Sequence, residues 1–155
     1  MKKIVTIILL LSSLVSAQEL KIKADLFKAN ENKGISVFQG NVNIVKKNDV
    51  LDASKVTIYT NKKNKPTKFV AEGNVSFKIE TKQHAKYEGT ANKVIFIPKN
   101  KEYYFYENVH LKQVDDKKEI KGEEVILNIN DGKAYAKGQE KEPVIMIFDI
   151  SDDKE

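Results

Sequence analysis

A short motif recurs along this chain at a nearly constant interval. Residues 38–44 read FQGNVNI, residues 71–77 read AEGNVSF and residues 106–111 read YENVHL. The shared asparagines are Asn41, Asn74 and Asn108, so the steps are 33 and 34 residues. A period of this length is typical of repeat architectures, in which each unit buries its apolar face only against its neighbours.

After residue 17, apolar and polar residues alternate over successive stretches of the chain, which indicates β-strands. Phe38, Val42 and Ile44 share one face of such a strand, whereas Gln39 and Asn43 take the other. β-branched and aromatic residues fill the apolar positions, and no helical period follows residue 17. The sequence therefore predicts an all-β fold with no substantial helix after that point. The predicted inward-facing residues are Phe38, Val42, Ile44, Val56, Ile58, Phe69, Val75, Phe77, Ile79, Val94, Phe96, Phe105, Val109, Leu111, Val125 and Leu127.

Four glycines, Gly40, Gly73, Gly89 and Gly122, fall inside the predicted strands. Glycine inside a strand often marks a bulge or a bend. We therefore expect each long strand to bend at its glycine and to contribute to two facing antiparallel sheets. Stacked V-shaped hairpins of this kind form a jelly-roll or a solenoid-like sandwich. The third copy of the motif has Glu107 in place of glycine, which predicts a weaker or differently placed bend.

The first seventeen residues have the features of a secretory signal peptide. Two lysines follow Met1, residues 4–15 are apolar, and small residues precede Gln18. The apolar run is too short to cross a bilayer comfortably, although an uncleaved anchor is the alternative. Cleavage after Ala17 predicts an exported, soluble protein with one domain over residues 18–148 and an acidic tail over residues 149–155. The chain has no Cys, so burial and backbone pairing must provide its stability.

The formal net charge is +5, and every basic residue except the two His is lysine. Weak positive charge spread over turns favours solubility, although lysine can also meet phosphate as a point charge. Nucleic acid is not expected as a partner, because no dense basic stripe is interleaved with aromatic residues.

The sequence offers little for catalysis. His84 lies in a predicted turn and His110 alternates onto the polar face, so both are expected at the surface. A serine elbow, a Gly-rich phosphate loop, a Cys nucleophile and a Cys or multi-His zinc set are all missing from the sequence. Adjacent carboxylates such as Glu123 and Glu124 point to opposite faces of a strand and make poor acid–base pairs. We expect no enzyme, no metal and no cofactor.

The apolar interior has two interpretations. It is either an ordinary sandwich core or an open slot for acyl chains, of which each buried CH₂ would contribute about 0.8 kcal/mol. A sealed core would leave a purely structural β-filament. A polysaccharide-binding or lyase-type solenoid is a third possibility, with residues 103–106 as its aromatic cluster, but alternation turns Tyr103 and Phe105 inward.

A stack that does not close leaves an edge strand at each end, and exposed edges invite pairing with another chain. The first edge is predicted over residues 20–27 and the last over residues 144–148, which are apolar on both faces. This predicts head-to-tail β-augmentation into an open filament, unless the tail 149–155 covers the last strand. The predicted edge residues are Ile22, Ala24, Leu26, Val144, Ile145, Met146, Ile147 and Phe148.

Several segments, taken in order, resemble the LptA/OstA-like family. They are IKADLF at 22–27, KGISVFQGNV at 33–42, LDASKVTIY at 51–59, YEGTANKV at 87–94 and IKGEEV at 120–125. The resemblance extends over about residues 22–148. Each motif is weak alone, whereas their order and spacing together are specific.

This resemblance implies a periplasmic component of lipopolysaccharide transport. It implies an open, twisted β-jellyroll whose interior carries the acyl chains of lipid A. It also implies edge-to-edge joining with further copies, with an LptC-like inner-membrane component and with an LptD-like outer-membrane component. An LptC-like protein retained at the inner membrane is an alternative within the same fold. Because the chain has no Arg, contacts with lipid phosphates would fall to lysine.

Overall fold

The computed structural model describes residues 19–150, and all its regular elements are β-strands. The predicted signal peptide at 1–17 and most of the predicted acidic tail lie outside the described residues, so the predicted domain boundaries stay predictions. No helix of residues 19–150 is long and apolar enough to cross a membrane. The strands are β1 (Leu20–Lys23), β2 (Leu26–Asn30), β3 (Ile35–Lys46), β4 (Asp49–Thr60), β5 (Pro66–Glu80), β6 (Lys86–Ile97), β7 (Glu102–Gln113), β8 (Lys118–Asn128), β9 (Ala134–Lys137) and β10 (Ile145–Ile147).

The ten strands form one continuous antiparallel sheet that does not close into a barrel. Strands β3 to β8 follow one another in chain order, each paired with the next. The short strands β1 and β2 both pair with β3, and β9 and β10 both pair with β8. The all-β prediction is confirmed, and short turns separate the long strands.

Each copy of the repeated motif is a two-residue bulge. The pairing register shifts at residues 40–41 of β3, 73–74 of β5 and 107–108 of β7. Both residues of each bulge have positive φ, from +44° at Asn74 to +83° at Gly73. Glycine and asparagine are the residues that adopt this left-handed conformation most readily, which explains why the Gly-Asn pair recurs. A bulge bends its strand, so the repeat marks the row of bends.

Two expectations about the bends were wrong, and a third was wrong in part. Gly89 and Gly122 have no positive φ, and no bulge is centred on them. A Cβ at Gly89 would instead collide with the carbonyl oxygen of His110, so glycine there permits a close approach of two strands. Glu107 adopts φ +63° at the same place in the repeat as Gly40 and Gly73, so the third bend is not differently placed. That this bend is weaker stays a prediction.

The first edge is two strands, β1 and β2, whereas one continuous strand was expected. The chain leaves the sheet at Ala24 and Asp25, beside the bulge of β3. There the Asp25 amide donates to the Gly40 carbonyl at 2.9 Å, and Asn41 Nδ2 donates to Asp25 Oδ2 at 2.9 Å. These bonds anchor the break at the row of bends. Strand β9 was not predicted.

The bends divide the sheet into two walls that face each other. Phe77 of one wall and Phe105 of the other lie with ring centroids 4.5 Å apart, although they belong to non-adjacent strands. The first wall contains β1, residues 42–46, 49–53, 75–80, 86–91, 109–113 and 118–122, and β10. The second wall contains β2, residues 35–39, 55–60, 66–72, 93–97, 102–106 and 124–128, and β9. The hairpin tips of the two walls border an opening, here called the mouth.

Candidate functional site

The inward faces of the two walls form one apolar interior, and every predicted lining residue belongs to it. The fully buried members are Val42, Val56, Ile58, Val75, Phe77, Ile79, Val94, Phe105, Val109, Leu111, Val125 and Leu127. Phe38, Ile44, Phe69 and Phe96 are half-buried and pack against them. The structure therefore brings the whole predicted set together; whether the set binds a lipid stays a proposal.

Sequence reasoning missed several lining residues, most of them on strands that pair with the bulged ones. They are Ala53, Ala71, Ala91, Leu51, Tyr87, Ile120 and Ile129. In β4 the inward residues pass from Ala53 to Val56, a step of three, because a single residue opposes the two-residue bulge of β3. The alternation therefore changes phase inside β4, and the same change occurs in β6 between Ala91 and Val94.

The deep part of the interior, beside the bends, is filled with side chains. Phe105 and Val75 are 0% exposed, and the Phe77 and Phe105 rings meet there across the two walls. The Tyr103 ring stacks on Phe96 with ring centroids 4.4 Å apart. Side chains packed in this way leave no room for a ligand unless the walls move apart.

Nearer the mouth, the two walls enclose a cavity of about 380 Å³. This volume is within the range of about 300–1,000 Å³ that is usual for small-molecule sites. Four charged residues border it: Lys46, Asp49 and Lys78 from the first wall, and Lys101 from a second-wall turn. The apolar residues around the cavity include Leu20, Ile44, Leu51, Val56, Pro66, Phe69, Phe77, Ile79, Val94, Phe96, Tyr103 and Ile129.

Asp49 of the first wall and Tyr103 of the second wall both border this cavity. Burial raises the pKa of Asp49, while the Glu80 amide, which donates to its Oδ1 at 2.9 Å, and the Lys46 charge oppose the shift. Burial also raises the pKa of Tyr103, and the Asp49 charge adds to the effect. The Tyr103 hydroxyl is therefore neutral at physiological pH and offers a weakly polar spot in an apolar wall.

Two hydrogen bonds cross the mouth and join the walls directly. Lys82 Nζ donates to Asn130 Oδ1 at 3.4 Å, and Gln83 Nε2 donates to the Asn130 carbonyl at 3.3 Å. Lys82 and Gln83 lie in the β5–β6 turn of the first wall, and Asn130 lies in the β8–β9 turn of the second. We call this contact the latch. It bridges the mouth beside Ile129, one of the residues that border the cavity.

The two ends of the sheet are exposed edges. Ile145, Met146 and Ile147 of β10 are 50%, 51% and 45% exposed, and Phe148 just beyond them is also exposed. At the other end Leu26 and Phe27 are exposed, and Ile22 is half-buried. Ala24 lies in the break between β1 and β2, and Val144 precedes β10. Ile22 and Phe27 pair with the inward Ile44 and Phe38, whereas Leu26 pairs with Gln39 and faces outward.

Both histidines lie at the surface and pair with carboxylates. His84 Nδ1 lies 3.0 Å from Glu80 Oε1, and His110 Nε2 lies 3.1 Å from Glu119 Oε2. The hydrogen bond from His110 is the main cause that lowers the pKa of Glu119. Among residues 19–150, no group of three or more His, Asp or Glu could hold a metal ion.

Comparison with known proteins relates this architecture to one family. Residues 21–133 match the model of a family described as LptA/(LptD N-terminal domain) LPS transport protein. The chain is also similar to the crystal structure of LptH, described as the LptA-homologous periplasmic component of the lipopolysaccharide transport device of Pseudomonas aeruginosa. The two chains are 12% identical with a TM-score of 0.75, and the match covers 86% of this chain and 96% of LptH. At this identity the likeness shows the fold alone. No curated protein sequence is significantly similar to the chain.

Proposed function

Because the chain belongs to the LptA/LptD N-terminal domain family of lipopolysaccharide transport proteins, we propose that it binds lipid A acyl chains in its apolar interior and acts as a periplasmic bridge. The family consists of transport proteins, so the chain is not an enzyme. The observation that carries the proposal is the cavity of about 380 Å³, which lies between two apolar walls and opens at the mouth.

The cavity suits acyl chains by its chemistry. Residues such as Ile44, Phe69 and Phe96 border it and are half-buried, so their apolar surface is within reach of a ligand. Each CH₂ transferred from water into such an interior contributes about 0.8 kcal/mol. A chain of a dozen methylenes would therefore be held strongly even after the cost of ordering it.

A lipid with several acyl chains needs more space than the cavity provides. The packed Phe77 and Phe105 rings close the deep part of the interior, so the walls must separate when such a lipid enters. An unclosed sheet permits this separation, because no strand pairing within residues 19–150 joins its two ends. The proposal thus includes a change in the angle between the walls on loading.

A photo-crosslinking amino acid at Ile44 or Phe69 tests the lipid-binding proposal in cells. Both positions border the cavity, and both are expected to capture lipopolysaccharide. Val45 is the matched control, because it neighbours Ile44 but points to the opposite face of β3. Equal capture from Ile44 and Val45, or capture from neither inward position with normal protein levels, would refute lipid binding in the interior.

We also propose that the exposed edges join copies of the chain head to tail, and join it to LptC-like and LptD-like components. Strand β10 is exposed, apolar and only three residues long, and it carries no charge that would block pairing. Ile145→Glu and Ile147→Glu are expected to weaken self-association in light scattering. Val114→Glu is the control, because Val114 is also exposed but lies in the β7–β8 turn. Equal effects at all three positions would remove the β10 edge from the proposal.

One observation favours a second candidate, a structural β-filament with a sealed core. The deep part of the interior is filled, as the 0% exposure of Phe105 shows. This candidate shares the edge-to-edge assembly and differs in lipid binding. The crosslinking experiment separates the two, since a sealed core captures no lipid from Ile44 or Phe69.

A further inference from the structure

Two lysines from opposite walls border the same cavity. Lys46 ends β3 on the first wall and falls on the inward side of the strand, in line with Val42 and Ile44. Lys101 lies in the β6–β7 turn of the second wall, two residues before the inward Tyr103. Both lysines are exposed, whereas the walls behind them are apolar. A molecule with an apolar part inside the cavity would therefore present its polar end to both lysines.

Within the described part of the chain, the ion pairs involve other lysines, and neither Lys46 nor Lys101 belongs to one. Lys78 also approaches the cavity but alternates with the buried Phe77 and Ile79, so its side chain belongs to the outer face. Lys82 takes part in the latch. Among the described residues, Lys46 and Lys101 are thus the inward-facing cations at the cavity that could bind a ligand.

From this arrangement we propose that Lys46 and Lys101 form a binding site for the phosphate groups of a lipid headgroup, a role that rests on the proposed function. Lysine meets phosphate as a point charge, and two lysines on opposite walls can approach two phosphates from different sides. The apolar cavity orients the lipid so that its acyl chains enter the interior and its headgroup stays at the mouth. The site therefore selects phosphorylated lipids over neutral ones.

Asp49 sets the strength of this site. Its carboxylate borders the same cavity and accepts the hydrogen bond from the Glu80 amide. The charges of Lys46 and Glu80 affect its pKa, and the Asp49 charge in turn affects the pKa of Tyr103. A phosphate at the two lysines would experience repulsion from this carboxylate. Removal of the Asp49 charge is therefore expected to strengthen phosphate binding, an effect opposite in sign to the loss of either lysine. In Asp49→Asn the amide oxygen can still accept the hydrogen bond from the Glu80 amide, so the local fold is preserved.

The test compares diphosphoryl lipid A with the same lipid after enzymatic removal of both phosphates, both measured against the full mature chain. Lys46→Gln or Lys101→Gln should weaken binding of the phosphorylated lipid about threefold, as for an exposed ion pair. Asp49→Asn should tighten it about twofold by the same reasoning. None of the three variants should change binding of the dephosphorylated lipid. The differences should shrink at high salt, because these charges are exposed.

Lys62→Gln and Lys63→Gln are matched controls, because both residues are exposed in a turn of the second wall and neither borders the cavity. If they weaken binding as much as Lys46→Gln, the site is overturned in favour of general charge attraction. Inorganic phosphate alone should not displace the lipid from the protein at concentrations at which the lipid itself saturates the protein. If it does, the site takes free phosphate, and the lipid-headgroup assignment is wrong.

Different results would overturn the headgroup site and the proposed acyl-chain binding. Equal binding of both lipids by the wild-type chain, unchanged in the lysine variants, would overturn the headgroup site and leave acyl-chain binding standing. Binding of neither lipid would overturn both. Weakening by Asp49→Asn would contradict the electrostatic basis of the site, whatever the lysine variants do.

Discussion

Gly73 of β5 offers a sharp test of the bends that create the two walls. Its φ is +83°, and a Cβ built there would lie 2.7 Å from Ser54 Oγ and 2.8 Å from Ser54 Cβ. Gly132 has φ +70°, but a Cβ there would meet nothing within 4 Å. The two glycines therefore share a left-handed backbone and differ in the space around it, so Gly132→Ala is a matched control for Gly73→Ala.

The two variants should differ in unfolding free energy by the steric cost alone. A left-handed alanine costs about 1–2 kcal/mol, and its smaller unfolded-state entropy returns about 0.5–1 kcal/mol. Gly132→Ala should thus destabilise the protein by about 0–1.5 kcal/mol. Gly73→Ala should add an overpacking cost of about 1–3 kcal/mol, because Ser54 or the bulge must shift.

Urea unfolding followed by far-ultraviolet circular dichroism measures both variants, provided that the m-value is unchanged. A double-mutant cycle with Ser54→Gly adds an internal check, because that change removes both atoms that the new Cβ would meet. Gly73→Ala should then cost less in the Ser54→Gly background. Equal costs for Gly73→Ala and Gly132→Ala, or no coupling to Ser54, would refute the steric account of the bend.

Three further perturbations test other parts of the molecule. Phe105→Ala should cost about 3–5 kcal/mol in urea unfolding, because Phe105 is 0% exposed where the walls meet; a loss below 1 kcal/mol would contradict a filled deep interior. His110→Leu should raise the pKa of Glu119, measured by NMR titration of its carboxyl group. The stability that the His110–Glu119 pair adds is present above the ordinary pKa of 4.5 and is lost as the pH falls through the lowered pKa of Glu119. An unchanged titration midpoint of Glu119 in the variant would refute the pairing. Cysteines at Gln83 and Asn130, joined by a short thiol crosslinker, should block lipid loading if the walls separate at the latch, whereas loading that survives crosslinking would place the movement elsewhere.

The inward face of the bulged strands could be predicted because a two-residue bulge preserves the period of two. In β3 the inward residues run from Phe38 to Val42 across residues 40–41, so the alternation continues in phase. The apolar set of β5 and β7 was found for the same reason. The Gly-Asn repeat was thus a true sign of the bends, although its backbone conformation was not foreseen.

Other features depend on how a strand pairs with its neighbour, which the sequence of a single strand does not show. The inward residues of β4 step by three, from Ala53 to Val56, because its partner carries the extra residue. The first edge likewise changes phase between Ile22 and Phe27, where Asp25 bonds to the bulge of β3. Glu107 shows that neighbouring strands can hold a residue with a side chain in a conformation that favours glycine.

The cavity could not be predicted either, since it depends on where the two walls lie relative to each other. Alternation places Ile44 and Phe69 inward, but they belong to different walls, and the space between them is set by the bends. Lys46 and Lys101 are far apart in sequence and border the same cavity only because the sheet folds over. Alternation in the sequence predicts which face of a strand is apolar. The size of a cavity between two walls depends in addition on how the walls are arranged in space.

Native mass spectrometry of the protein, purified without detergent from cells that make lipopolysaccharide, tests the central claim most directly. The wild-type chain should carry an acylated, phosphorylated lipid, and Ile44→Glu, which places a charge beside the cavity, should lose it while remaining folded. A wild-type chain that is free of lipid, or an Ile44→Glu chain that retains it, would contradict lipid binding between the two walls.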